Sequence, residues 1–102
     1  MPNAAPMSRR ETAKQKIEAA IRAIDCALTQ QTQVIFGITT ADQLNHFKAE
    51  LLKGLDLILR NEIPELINHR ELGMARVIAD QWPYSVSLGL IIIEAEQAFE
   101  AL

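Results

Sequence analysis

The sequence has 102 residues, of which 49% are apolar, and a formal net charge of −3. These values are typical of one compact domain, and the charge is too mild to imply any class of partner. Because Cys26 is the single cysteine, no internal disulfide can form. The first ten residues lack the apolar core of a signal peptide, and no apolar run approaches the about 20 residues that cross a membrane. We therefore expect a cytoplasmic protein without a membrane segment.

Frequent Ala, Leu, Ile, Glu and Gln together with few aromatic residues favour helix over sheet. Residues 1–7, with Pro2 and Pro6, are predicted to be a disordered tail. Residues 8–102 are predicted to form a single domain. The expected fold is all-α, a small antiparallel bundle of about four helices joined by short connections.

The first helix is predicted to begin at Arg9, because Ser8 and Glu11 have the form of a capping box. Gly37 is a typical stop signal, so the helix would have up to about 28 residues and a length of about 42 Å. That exceeds the other helices and would leave part of it uncovered unless a second chain packs there. Residues 32–40 are rich in β-branched side chains, so an extended conformation remains an alternative for them. The inward face comprises Ala13, Ile17, Ala20, Ile21, Ile24, Leu28 and Ile35.

The second helix, predicted over residues 40–61, is the element around which we expect the others to pack. Thr40 and Gln43 again have the form of a capping box. A wide apolar stripe at helical spacing faces the core, and it comprises Leu44, Phe47, Leu51, Leu52, Leu55, Ile58 and Leu59. The opposite face carries His46, Lys53, Asp56 and Arg60.

A third helix is predicted from Pro64 to about Gln81, because apolar residues keep their phase across Gly73. A break at Gly73 into two shorter helices is the alternative. Trp82 precedes a proline and should end the element. The last helix is predicted from Val86 to the C-terminus, with an inward face of Leu88, Ile91, Ile92, Ala95, Phe99 and Leu102.

Several residues with small or apolar side chains lie away from these inward faces. Small residues form a strip on the first helix. The last helix is apolar nearly all round in its first half, which is typical of a helix covered by something besides its own chain.

The loop 80–85 contains the only Trp and the only Tyr. Either these two residues form a binding hot spot or Trp82 closes the end of the bundle, and we favour the second for Trp82. Leu57 alone is better explained as an ordinary surface residue. The predicted partner-binding residues are Ala19, Ala23, Cys26, Gln30, Leu57, Trp82, Tyr84, Val86, Leu90 and Ile93.

The sequence offers weak signals for chemistry. His46 with Glu50, and Glu65 with His69, have a four-residue spacing that puts two ligands on one helix face, but a bundle metal site needs further inward ligands. Cys26 has no histidine in register, so we expect an inert thiol. We predict no catalytic residue, no cofactor and no metal, and hence no enzyme.

A role with nucleic acid is the alternative function. Residues 1–22 hold five Lys or Arg and two acids, but the basic side chains of Arg9, Arg10, Lys14, Lys16 and Arg22 scatter around the helix with no aromatic residue among them. The stretch 70–78 is similar to the turn of a helix-turn-helix, but a histidine stands where a small residue is needed.

The sequence therefore predicts a non-enzymatic helical interaction module that forms a homodimer and binds a protein partner. A regulator that contacts nucleic acid through its basic first helix is the alternative.

Overall fold

The computed structural model describes residues 8–65, 70 and 72–102. Over these ranges the regular structure is entirely helical, which confirms the all-α prediction; the predicted tail, residues 1–7, lies outside them. The helices are α1 (Arg9–Gln30), α2 (Gln33–Phe36), α3 (Ala41–Leu59), α4 (Met74–Gln81) and α5 (Ser87–Glu100). α1 packs against α3 and α5, and α4 packs chiefly against α5.

The predicted starts of α1 and α3 are confirmed by their caps. The Ser8 hydroxyl accepts from the Glu11 N–H at 3.1 Å, and the Thr40 hydroxyl accepts from the Gln43 N–H at 3.1 Å. Each bond satisfies one of the N–H groups that a helix leaves without an internal partner. The Thr39 hydroxyl also donates to the Gln43 side-chain oxygen, so the entry into α3 is fixed by two neighbouring threonines.

The predicted continuation of α1 to Gly37 is wrong. α1 ends at Gln30, because Gln31 has left-handed backbone geometry with φ 50°. Thr32 then starts the separate helix α2, its hydroxyl accepting from the Ile35 N–H at 3.4 Å. Threonine favours such a cap over a position inside a helix. With 22 residues, α1 spans about 33 Å rather than the predicted length of about 42 Å. The length of α1 therefore gives no reason to expect that a second chain covers part of it.

The break at Gly73, the alternative for the third predicted helix, is confirmed. Gly73 has φ 83°, and α4 begins directly after it; glycine adopts this left-handed conformation without the steric cost of a side chain. Trp82 ends α4 with extended backbone, as the following proline predicts. The predicted start at Pro64 is wrong, because Pro64 and Glu65 are not helical. The rest of the first part cannot be compared, since residues 66–69 and 71 lie outside the described residues.

The core is built from one face of each long helix and, among the residues that the structure describes, has sixteen buried apolar members. The stripe on α3 is narrower than predicted, because Leu52 and Leu59 are 46% and 62% exposed. In their place Gly54 is buried on that face, where a side chain would lie 3.6 Å from Leu72 and Phe99. The buried apolar residues are Ala13, Ile17, Ala20, Ile24, Leu44, Phe47, Leu51, Ile58, Met74, Ile78, Trp82, Val86, Leu88, Ile92, Ala95 and Phe99.

Polar contacts between elements show that α1 and α3 are antiparallel. The Arg10 guanidinium donates to the Ile58 carbonyl at 2.9 Å near one end, and Lys48 pairs with Asp25 at 2.7 Å toward the other. Arg10 therefore adds a second donor to this carbonyl in the last turn of α3, which also accepts from the Asn61 N–H at 3.1 Å. This contact explains a basic residue in the first turn of α1, where its charge opposes the dipole of its own helix.

Candidate interaction surface

Nine residues from α4, α5 and the turn between them form a shallow apolar depression, which we call the α4–α5 groove. Its volume is about 110 Å³, well below the about 300–1,000 Å³ typical of small-molecule sites. It has room for a side chain of a partner rather than for a cofactor. The lining residues, none of them charged, are Ile78, Ala79, Trp82, Pro83, Tyr84, Val86, Gly89, Leu90 and Ile93.

Trp82 forms the floor of the groove and belongs to the core, where the sequence favoured placing it. Its side chain is 5% exposed, and its ring lies 6.1 Å from that of Phe47. α4 and α5 approach closely here because Gly89 has no side chain. A Cβ at Gly89 would lie 2.9 Å from Ile78 Cγ2 and 3.2 Å from Trp82 Cε3.

The rim of the groove is formed by exposed apolar side chains. Tyr84 is 97% exposed and Leu90 is 58% exposed. Tyr84 follows Pro83 in the turn that joins α4 to α5, and the proline ring restricts the backbone of that turn. Val86 is buried, and Ile93 is half-buried against the core. Five of the predicted partner-binding residues thus come together at one place.

The small residues of α1 lie on a different face. Ala23, Cys26 and Gln30 line a second depression of about 220 Å³ together with Ile35 and residues of α5. Ala19 lines a separate depression nearer the start of α1. The predicted strip is therefore divided, and part of it already packs against α2 and α5.

Leu57 is half-buried and packs against the core, so it adds little exposed apolar area. Its contribution is to the packing of α3 rather than to the groove. The predicted partner-binding residues thus divide among three places: the groove, the face of α1 and the edge of the core.

Sequence reasoning missed Glu96. This glutamate is 2% exposed, and its Oε1 accepts from the N–H groups of Met74 at 2.9 Å and Ala75 at 3.1 Å. The sequence did indicate that Glu96 is buried, because Glu96 lies four residues after Ile92 and three before Phe99. This spacing places it on the apolar face of α5. An acid on that face needs buried donors, and the start of α4 supplies them.

Of the residues considered for metal binding, the structure describes His46, Glu50 and Glu65. His46 is exposed on the polar face of α3, and His69 lies outside the described residues. Within the ranges that the structure describes, no group of three His, Cys, Asp or Glu side chains is arranged to hold a metal ion. Cys26 is a free, exposed cysteine.

Comparison with known proteins adds no assignment. No protein-family model matches the chain, and no curated protein matches it. Among the described helices, none has both the length and the apolar character that a membrane crossing requires.

Proposed function

We propose that this protein is a non-enzymatic, cytoplasmic interaction module that self-associates through the α4–α5 groove. The observation that carries the proposal is the fully exposed Tyr84 beside Leu90, with an apolar groove between them and the core. Large exposed apolar residues that cluster at one site are typical of interaction surfaces, whereas isolated ones are common on any surface.

A second copy of the chain suits this surface for two reasons. First, the face carries both a projecting aromatic ring and a groove that can hold one side chain, so two copies related by a two-fold axis can each insert Tyr84 into the other. Second, the lining residues are uncharged, so like charges do not meet within the groove itself when two copies face each other. Tyrosine is also among the residues that contribute most to binding when buried at an interface.

The length of α1 no longer supports this proposal, since α1 ends at Gln30. The small-residue face of α1 supports it weakly, because part of that face packs against α2 and α5. The remaining support is that α5 has apolar residues on two faces. Leu88 and Ile92 are buried in the core, whereas Leu90 is 58% exposed on the opposite side.

Sedimentation equilibrium of the unmodified chain tests self-association directly. We expect a mass of about twice the chain's 11.4 kDa at micromolar concentrations, and a melting temperature that rises with protein concentration because assembly stabilises the fold. A chain that remains monomeric at several hundred micromolar would rule out the dimer.

The alternative function, nucleic-acid binding, has a separate test. α1 carries Arg9, Lys14, Lys16 and Arg22, but Arg10 is engaged with α3. Binding to phosphates through such residues would weaken steeply with salt. Measurable affinity for duplex DNA or RNA at low salt, lost as salt rises, would favour that function over the interaction module.

A further inference from the structure

We propose that α4 is a detachable helix, held closed by the buried side chain of Glu96, and that its release opens one wall of the α4–α5 groove. We call the hydrogen bonds from the Met74 and Ala75 N–H groups to Glu96 the latch. The inference that they hold α4 in place depends only on the geometry of α4 and α5. Its consequence for binding rests on the function proposed above.

The start of α4 depends on a residue of another helix. Gly73 occupies the capping position and has no side chain that could accept from the first N–H groups. The Met74 and Ala75 N–H groups both donate to a single oxygen of Glu96, a residue more than twenty positions away. Glu96 therefore does for α4 what Ser8 and Thr40 do locally for α1 and α3.

α4 is too short to persist without that support. It has eight residues, whereas isolated helices shorter than about 12–15 residues are marginal in water. Its buried residues Met74 and Ile78, followed by Trp82, recur every four residues and face α5 and the core. Loss of the latch should therefore release the segment as a unit.

The closed arrangement also carries a cost. The Trp82 indole N–H is buried and finds no hydrogen-bond partner among the described residues. A buried donor without a partner is unfavourable, and opening would return it to water. Gly73 provides the pivot, since it already has φ 83°. Apart from its two chain neighbours, no described residue has an atom within 4 Å of the place where its side chain would be.

Opening would change the proposed binding surface. α4 and its end contribute Ile78, Ala79 and Trp82 to the groove, while Gly89, Leu90 and Ile93 belong to α5. Displacement of α4 removes the first three from the groove. The closed helix is therefore the state that presents an intact groove to a second copy.

Hydrogen exchange of the unmodified chain, followed by mass spectrometry or NMR over a urea series, tests for a detachable helix. We expect the amides of residues 78–82 to exchange through an opening with weak urea dependence, and those of α1 and α3 to exchange only with global unfolding. Equal rates and equal urea dependence in all three helices would contradict the proposal, whatever the oligomeric state.

Substitution of Glu96 tests the latch itself. In Glu96→Ala we expect the amides of residues 78–82 to exchange about ten- to a hundredfold faster, with protection of α1 and α3 retained. Trp82, the only tryptophan, should show red-shifted emission and stronger acrylamide quenching. Glu96→Gln keeps an acceptor oxygen and should recover part of the protection.

Glu94→Ala is the matched control, since Glu94 is exposed on the same helix; it should leave exchange and fluorescence unchanged. Unchanged exchange in Glu96→Ala, or equal acceleration in α1, α3 and α4, would overturn the latch. If Glu96→Ala fails to fold, Glu96→Gln and the unmodified chain still decide the question. A monomeric parent with a separately opening α4 would remove the proposed dimer and leave the latch intact.

Discussion

Two buried glycines in helices show how single residues set the packing of this bundle. A Cβ at Gly54 would meet Leu72 and Phe99 at an ordinary contact distance of 3.6 Å, whereas one at Gly89 would lie 2.9 Å from Ile78. Because alanine has the higher helix propensity, the local effect of Gly→Ala is favourable at both positions. The packing around each glycine therefore decides whether Gly→Ala raises or lowers the free energy of unfolding.

We expect Gly54→Ala to raise the free energy of unfolding by up to about 1 kcal/mol. Gly89→Ala should lower it by about 1–3 kcal/mol, because overpacking forces Ile78 and Trp82 to move. Urea denaturation of both variants measures the two values. If Gly89→Ala instead raised the free energy of unfolding, the distance between α4 and α5 would have to be larger than in this structure.

The neighbouring residues Leu51 and Leu52 provide a second comparison on α3. Leu51 is fully buried, while Leu52 is 46% exposed. We expect Leu51→Ala to lower the free energy of unfolding by about 2–5 kcal/mol because it leaves a cavity. Leu52→Ala should cost less than about 1 kcal/mol. Equal losses in a urea series would show that the stripe of α3 is as wide as the sequence predicted.

At the scale of helices, the sequence predicted the boundaries that neighbouring residues determine, which are the starts of α1 and α3 and the end of α4 at Trp82. Ser8 and Thr40 act within three residues of their own position, so the capping boxes were readable from the chain. The end of α1 could not be predicted from the chain, since Gln31 has left-handed backbone geometry, which residues other than glycine rarely adopt. The cap of α4 was also hidden, because it comes from Glu96 in a helix that packs beside it only in the folded chain.

Arg10 links two helices, and its removal has a predictable cost. We expect Arg10→Ala to lower the free energy of unfolding by about 1 kcal/mol, because the charged hydrogen bond between α1 and α3 is lost. The Ile58 carbonyl keeps the Asn61 N–H as a donor, so no buried acceptor is left unpaired. Arg9→Ala, one residue earlier and exposed, serves as the control and should stay within about 0.5 kcal/mol. Similar losses for both variants in thermal or urea denaturation would show that general charge, rather than this contact, is responsible.

For the whole molecule, the sequence predicted the all-α bundle but only part of its exposed apolar surface, where it selected Tyr84 and Leu90. Leu52 and Leu59, which are also exposed, were assigned to the core. Tyr84 and Leu90 were selected for different reasons, one as a loop aromatic and one as an off-stripe residue of the last helix. Only the packing of α4 on α5 brings them to one groove and separates them from Cys26. Such contacts depend on how helices pack, which the period of each helix does not specify.

The central claim is that the α4–α5 groove is the surface through which the chain self-associates. Leu90→Glu tests it, because Leu90 is 58% exposed in the single chain and the substitution should leave the fold intact while placing an unpaired charge in the interface. Leu52→Glu is the matched control, since the same change is made at a leucine that is 46% exposed on α3.

Sedimentation equilibrium with circular dichroism on the parent and both variants is the most direct measurement. We predict a dimeric parent, a dimeric Leu52→Glu variant and a monomeric Leu90→Glu variant with unchanged helical content. A monomeric parent would contradict self-association, and a dimer that survives Leu90→Glu would contradict the groove as its interface.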